Sequence, residues 1–144
     1  MINFFTEGVS NPVKNKTILK NWIKQVVGNE GKKPGDINII FCDDEYLLSI
    51  NKQHLEHDYY TDIITFNYNN EKVNGDLFIS LDRVGDNAEK NNAPRETELQ
   101  RVIIHGVLHL LGYNDKSKKE EAVIRKKEDE CLKLISQWGN MLMC

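Results

Sequence analysis

The sequence predicts an α+β layered fold with a mixed β-sheet and a central buried helix. Three observations carry that reading. The chain has 144 residues, 40% hydrophobic and 28% charged, the size and balance of one globular domain over residues 1–144. Strand-type apolar runs and helical stripes are mixed without the strict alternation of a parallel βαβ chain. One segment, Arg95 to Leu111, is apolar almost all round, as a helix enclosed on every side must be.

The elements follow in order. Ile2 to Phe5 reads as a short strand. From Lys14 to Gly28, Ile18, Leu19, Trp22, Ile23, Val26 and Val27 make a helical apolar stripe, with Lys14, Lys16, Lys20 and Lys24 on a solvated face. Gly28 to Gly35, with Pro34, is a loop, and Asp36 to Cys42 is a buried strand. Asp43 or Asp44 caps a helix through Leu47, Leu48 and Ile50. Asn51 to Tyr60 shows no clear period. Asp62 to Phe66 and Gly75 to Ser80, separated by the turn Asn69-Asn70-Glu71, form a hairpin. Asp82 to Asn91 is a weaker helix, and Asn92-Ala93-Pro94 breaks the chain before the central helix. Ser117-Lys118-Lys119-Glu120 has the capping-box pattern and opens a final helix to about Gln137, with a frayed tail after Trp138.

A net charge of -3 argues against global, charge-driven binding to nucleic acid, so an RNA would have to be read through a local basic patch. No apolar run approaches membrane-spanning length, and Met1 to Glu7 lacks the basic start and apolar stretch of a signal peptide. The expected location is cytoplasmic, with no membrane partner. Cys42, Cys131 and Cys144 form no pair with metal or disulfide spacing and read as reduced thiols, Cys42 in the core.

The chemistry concentrates in His105-Gly106-Val107-Leu108-His109-Leu110-Leu111-Gly112-Tyr113-Asn114-Asp115. Residues four apart share a helix face, so His105 and His109 can reach one ion. Gly112 can take the left-handed conformation that ends a helix, which turns Asp115 back as a third ligand. Asn114 is the competing ligand, but an amide binds less well than a carboxylate. Three protein ligands with an open fourth position make a catalytic zinc site. Zinc is the default single ion, and the mixed nitrogen and oxygen set also accepts other divalent transition metals such as nickel, cobalt or manganese. The spacing matches the metalloprotease pattern His-Glu-x-x-His-x-x-Gly-x-x-His, yet Gly106 stands where a protease carries its general-base glutamate. That argues against an ordinary peptidase.

The same segment resembles the signature of the YbeY-type endoribonucleases, His-Gly-x-Leu-His-Leu-x-Gly-Tyr-Asp-His. Thr61-Asp62-Ile63-Ile64-Thr65-Phe66 is similar to that family's Thr-Asp-Val-Leu-Ser-Phe segment, and Gly75-Asp76-Leu77-Phe78-Ile79-Ser80 to its Gly-Asp-Ile-x-Ile-Ser strand. Glu120 and Glu128 fall in its charged final helix, and the likeness covers roughly residues 36 to 130. The resemblance implies a metal-dependent hydrolase that cleaves single-stranded RNA, with His105, His109 and Asp115 as its metal-binding and catalytic residues. It implies maturation of ribosomal RNA at the small-subunit 3′ end, ribosome quality control, and the ribosome or its small subunit as partner, with no DNA partner. Two departures stand out. Asp115 replaces the family's third histidine, and Leu55 occupies the position of a family arginine. His54 and His57 lie close enough in sequence to substitute for that cation, although the exposed-loop reading is the preferred one for both.

The residues allow attack on the phosphodiester by water or by the RNA 2′-hydroxyl; a 2′,3′-cyclic phosphate product would exclude direct water attack at that step. Asp62 or Asp76 could orient a ligating histidine, with a purely structural role ahead for Asp76 and level for Asp62. Lys116, Lys118 and Lys119 could guide RNA or be solvated, and Tyr59, Tyr60, Phe66 and Tyr68 could stack on bases or pack in strands. The competing functions are a non-catalytic ribosome-assembly factor stabilised by metal, and an atypical metallopeptidase.

Overall fold

A computed structural model describes the backbone of residues 1–55 and 61–143 and the side chains of residues 1–54 and 61–137. The elements are β1 (Ile2–Thr6), α1 (Lys16–Asn29), β2 (Pro34–Cys42), α2 (Asp44–Leu55), β3 (Ile63–Asn67), β4 (Val73–Ser80), α3 (Leu81–Lys90), α4 (Arg95–Leu110) and α5 (Lys118–Met143). The strands form one sheet in the order β1-β2-β4-β3. β1 and β4 both run parallel to β2, while β3 pairs antiparallel with β4, so the sheet is mixed as expected.

Strand alternation sends side chains to two faces. Ile37, Ile39 and Phe41 of β2 and Val73, Leu77 and Ile79 of β4 enter the main core with α1, α4 and α5. The opposite face carries Cys42, Ile64, Phe66 and Phe78, which pack with Leu47 and Ile50 of α2. The sheet is therefore sandwiched, with α4 buried on one side. Trp22, fully buried on α1, donates its indole N–H to the Cys131 carbonyl at 2.8 Å and ties α1 to α5. Cys42 and Cys131 are buried free thiols, and burial pushes the first up to about 12.

Several boundaries differ from the sequence expectation. β2 begins at Pro34, where Pro34 pairs with Val73 before a register irregularity, a position that tolerates proline because the ladder is broken there. α2 continues through Asn51–Leu55, with Asn51 buried although its neighbours are polar. Its cap is Asp43, which accepts the Tyr46 N–H at 2.8 Å. α5 runs on past Gln137 to Met143, and its start is capped by Ser117, whose hydroxyl accepts the Glu120 N–H at 3.1 Å.

Candidate metal centre

α4 sets the site. Gly106 allows it to lie close on the sheet: a Cβ there would sit 2.6 Å from Ile63 Cδ1 and 3.0 Å from Leu77 Cδ2. Any larger residue at this position would require the tips of both side chains to shift. His105 and His109, one turn apart, emerge from the part of α4 that the sheet does not cover, and both are partly exposed.

The turn after α4 delivers Asp115. Gly112 has φ of 102°, a conformation that glycine adopts without a side-chain penalty. The Gly112 N–H donates to the His109 carbonyl at 3.1 Å, and the Tyr113 N–H to the Leu108 carbonyl at 3.0 Å, the two bonds of a Schellman ending. Tyr113 then donates its hydroxyl to Glu30, just past α1, which raises the phenol to about 12. Asp115 thus leaves a turn fixed at both backbone and side-chain level.

His105 Nε2, His109 Nε2 and Asp115 Oδ2 converge. The two nitrogens are 3.0 Å apart, and the carboxylate oxygen lies 3.3 and 3.4 Å from them. Among the described residues this is the one group of three potential ligand atoms, all within 4.8 Å of one another. The chemistry of the set asks for a cation. His105 Nδ1 lies 2.6 Å from Glu128 Oε2 and donates to that carboxylate. The neutral ring then presents a bare lone pair at Nε2, facing another carboxylate oxygen. A shared divalent ion satisfies all three atoms and leaves a coordination position free. Lacking it, a proton must serve. Burial opposes charge on His105, but Glu128, Asp115 and Asp62 outweigh it and hold the imidazole above its ordinary 6.5.

Glu128 was placed by sequence only in the final helix, without a role. It is 4% exposed, and its other oxygen accepts from Arg101 Nη1 at 2.9 Å, while Arg101 Nη2 donates to Asp129 at 2.7 Å. The signal was present: Ile124, Glu128, Cys131 and Ile135 follow the buried stripe of α5, and a carboxylate in such a stripe needs a partner. Asp76 does not orient a histidine. It points to the sheet face away from α4 and accepts from Asn38 Nδ2 at 3.0 Å, completing a ladder from Asn3. Asp62 stays at the site. It lines the clefts on both sides of His105 and Asp115, and burial raises its carboxyl despite the nearby His105 and the Ile63 N–H.

The other candidates separate. His54 is exposed on α2 and stands edge-on to Phe66 at 5.9 Å, away from the histidine pair. Phe66 also packs edge-on against Phe78, whereas Tyr68 is 58% exposed. Lys116, Lys118 and Lys119 are exposed beside Asp115. The Leu55 side chain, His57, Tyr59 and Tyr60 lie outside the described residues.

A mixed α+β fold that brings two helix histidines and a turn carboxylate to one point defines a candidate metallohydrolase. Comparison with known proteins makes that class specific. Residues 5–136 match the family model described as Endoribonuclease YbeY. The chain is 52% identical to an Endoribonuclease YbeY of Porphyromonas gingivalis, covering 94% of this chain and 91% of that protein. It is 50% identical to that of Phocaeicola vulgatus, covering 94% and 99%. The solution structure of TM1509 from Thermotoga maritima matches with a TM-score of 0.69 at 28% identity, over 97% of this chain and 93% of that one. The chain belongs to the YbeY endoribonuclease family. No described helix is long and apolar enough to cross a membrane.

Proposed function

We propose that this protein is a zinc-dependent endoribonuclease that cuts single-stranded RNA, acts in ribosomal RNA maturation at the small-subunit 3′ end and in ribosome quality control, and works in the cytoplasm on the ribosome or its small subunit. The observation that carries the metal dependence is the convergence of His105, His109 and Asp115 within 4.8 Å. Those three residues would hold the ion and are the catalytic set. The chemistry an ion would supply there is Lewis-acid polarisation of a phosphodiester and acidification of a water.

The remaining work falls to the chain. Glu128 keeps the His105 proton on Nδ1 and so keeps Nε2 available as a ligand. Asp62 is the carboxyl raised by burial beside the centre, suited to take or give a proton at its Oδ atoms. The exposed Lys116, Lys118 and Lys119 offer a local basic patch next to Asp115 in a chain of net charge -3, the setting in which RNA would approach.

The test is cleavage of single-stranded RNA carrying a small-subunit 3′ end by zinc-loaded wild type and by His109→Ala purified identically. Cleavage by wild type alone supports the assignment. Equal cleavage by both, or by neither, removes it and favours an assembly factor that uses metal for stability.

A further inference from the structure

Two clefts meet at His105 and Asp115. One, about 460 Å³, runs along β3 past Thr61, Thr65 and Asn67. The other, about 390 Å³, opens between α3, α4 and α5 and shares Asp62, His105 and Asp115 with the first. A strand lying across the centre would place one neighbour of the reacting phosphate in each.

The second cleft has the make-up of a base site. Val102 and Ile124, both buried core residues, supply apolar wall. Asn87, whose NH₂ lies 3.4 Å from Asp62 Oδ2, offers its amide oxygen, and the exposed Arg125 lies at the rim with a flat guanidinium on which a base can stack. Glu98 stands in its lining, 5% exposed, with no hydrogen-bond or ion-pair partner among the described residues. Among the described residues no fully buried side-chain oxygen lacks a hydrogen-bond partner, so the Glu98 oxygens open into the cleft, where a ligand carrying hydrogen-bond donors can meet them. Glu98 belongs to no group of three ligand atoms able to share an ion among the described residues, which separates it from the metal cluster.

We infer that this cleft is a nucleobase subsite and that Glu98 selects guanine; the inference rests on the endoribonuclease reading. An ionised carboxylate only accepts hydrogen bonds. Guanine alone offers it two adjacent donors, N1–H and the N2 amino group. Adenine and cytosine set a bare ring nitrogen beside their amino group, and uracil flanks its single N–H with carbonyls. Geometry agrees. Glu98, Val102, His105 and His109 follow one face of α4, and seven residues from Glu98 to His105 span about 10 Å of helix, comparable with the reach from a phosphate to the far edge of its own base.

The experiment is cleavage of a randomised single-stranded RNA pool by zinc-loaded wild type and Glu98→Gln, with both product ends sequenced. Wild type is expected to enrich guanine about ten-fold at one fixed position beside the cut, the discrimination a bidentate contact gives. Glu98→Gln is expected to bring that ratio close to one. A second measurement covers a variant that fails to fold: guanosine monophosphate should inhibit wild type about ten-fold better than the other three nucleoside monophosphates. Wild-type cleavage without base preference, a guanine preference that Glu98→Gln retains, or equal inhibition by all four nucleotides overturns the inference and leaves the nuclease reading standing. Loss of a second bound zinc per chain in Glu98→Gln overturns it in favour of a cation site. No cleavage by wild type defeats the nuclease reading itself.

Discussion

Replacing Glu128 by glutamine tests the site at the point where folding and chemistry meet. The wild-type carboxylate makes two acceptor contacts, one oxygen to His105 Nδ1 at 2.6 Å and the other to Arg101 Nη1 at 2.9 Å. Glutamine keeps the shape but has one acceptor oxygen and one NH₂. The guanidinium is cationic and cannot face an NH₂, so it takes the oxygen. The NH₂ then points at His105 Nδ1, which must become the acceptor, and the ring proton moves to Nε2. That nitrogen faces His109 Nε2 at 3.0 Å and Asp115 Oδ2 at 3.3 Å, and it loses the lone pair a metal needs. Loss of such a supporting contact costs about 10- to 100-fold in metal affinity, which is about 1.4–2.8 kcal/mol at 1.4 kcal/mol per factor of ten. The fold should lose less than the 3–5 kcal/mol typical of a broken buried ion pair, because Arg101 keeps Asp129 at 2.7 Å. The assay is competition for zinc against a chromophoric chelator, with circular dichroism to confirm folding. Asp76→Asn is the control, since Asp76 lies on the far face of the sheet and its loss should leave affinity unchanged. A folded Glu128→Gln with zinc affinity within two-fold of wild type, roughly 0.4 kcal/mol, would refute the tautomer argument.

Further expectations follow from the same geometry. In the apo protein the raised His105 pKa means that its contribution to stability is full below about 6.5 and is lost as pH rises through the folded value. Zinc affinity weakens progressively once pH falls below that raised value, because protons compete for the ligand; thermal scans of apo wild type and His105→Gln with identical pH slopes would contradict the apo expectation. Gly106→Ala places a Cβ 2.6 Å from Ile63 Cδ1. Overpacking of about 1–3 kcal/mol set against about 1 kcal/mol of helix propensity predicts a net loss of up to about 2 kcal/mol by denaturant titration. A gain of about 1 kcal/mol would mean that Ile63 and Leu77 yield freely. Tyr113→Phe removes the donor to Glu30 and should cost about 1 kcal/mol of stability together with a few-fold loss in zinc affinity as the Asp115 turn loosens; unchanged affinity would show the Schellman ending suffices.

The sequence by itself determined the elements and the candidate ligands. The period of α1 and α4, the hairpin of β3 and β4 and the spacing of His105, His109, Gly112 and Asp115 are local, because a helix fixes which residues share a face and a glycine marks where the chain can turn back. Only the tertiary structure decided which carboxylates serve the site. Asp62, Asp76 and Glu128 lie far apart along the chain, and their roles turn on contacts made across it: Asp76 is sent to the wrong face by strand alternation, Asp62 is carried to the cleft by the start of β3, and Glu128 is brought to His105 by the docking of α5 on α4. The strand order β1-β2-β4-β3 was equally out of reach, since pairing between distant strands depends on how whole faces pack. The buried glutamates of α4 and α5 were visible as breaks in apolar stripes, but what a buried charge is for depends on what packing places opposite it: an imidazole for Glu128, an open cleft for Glu98.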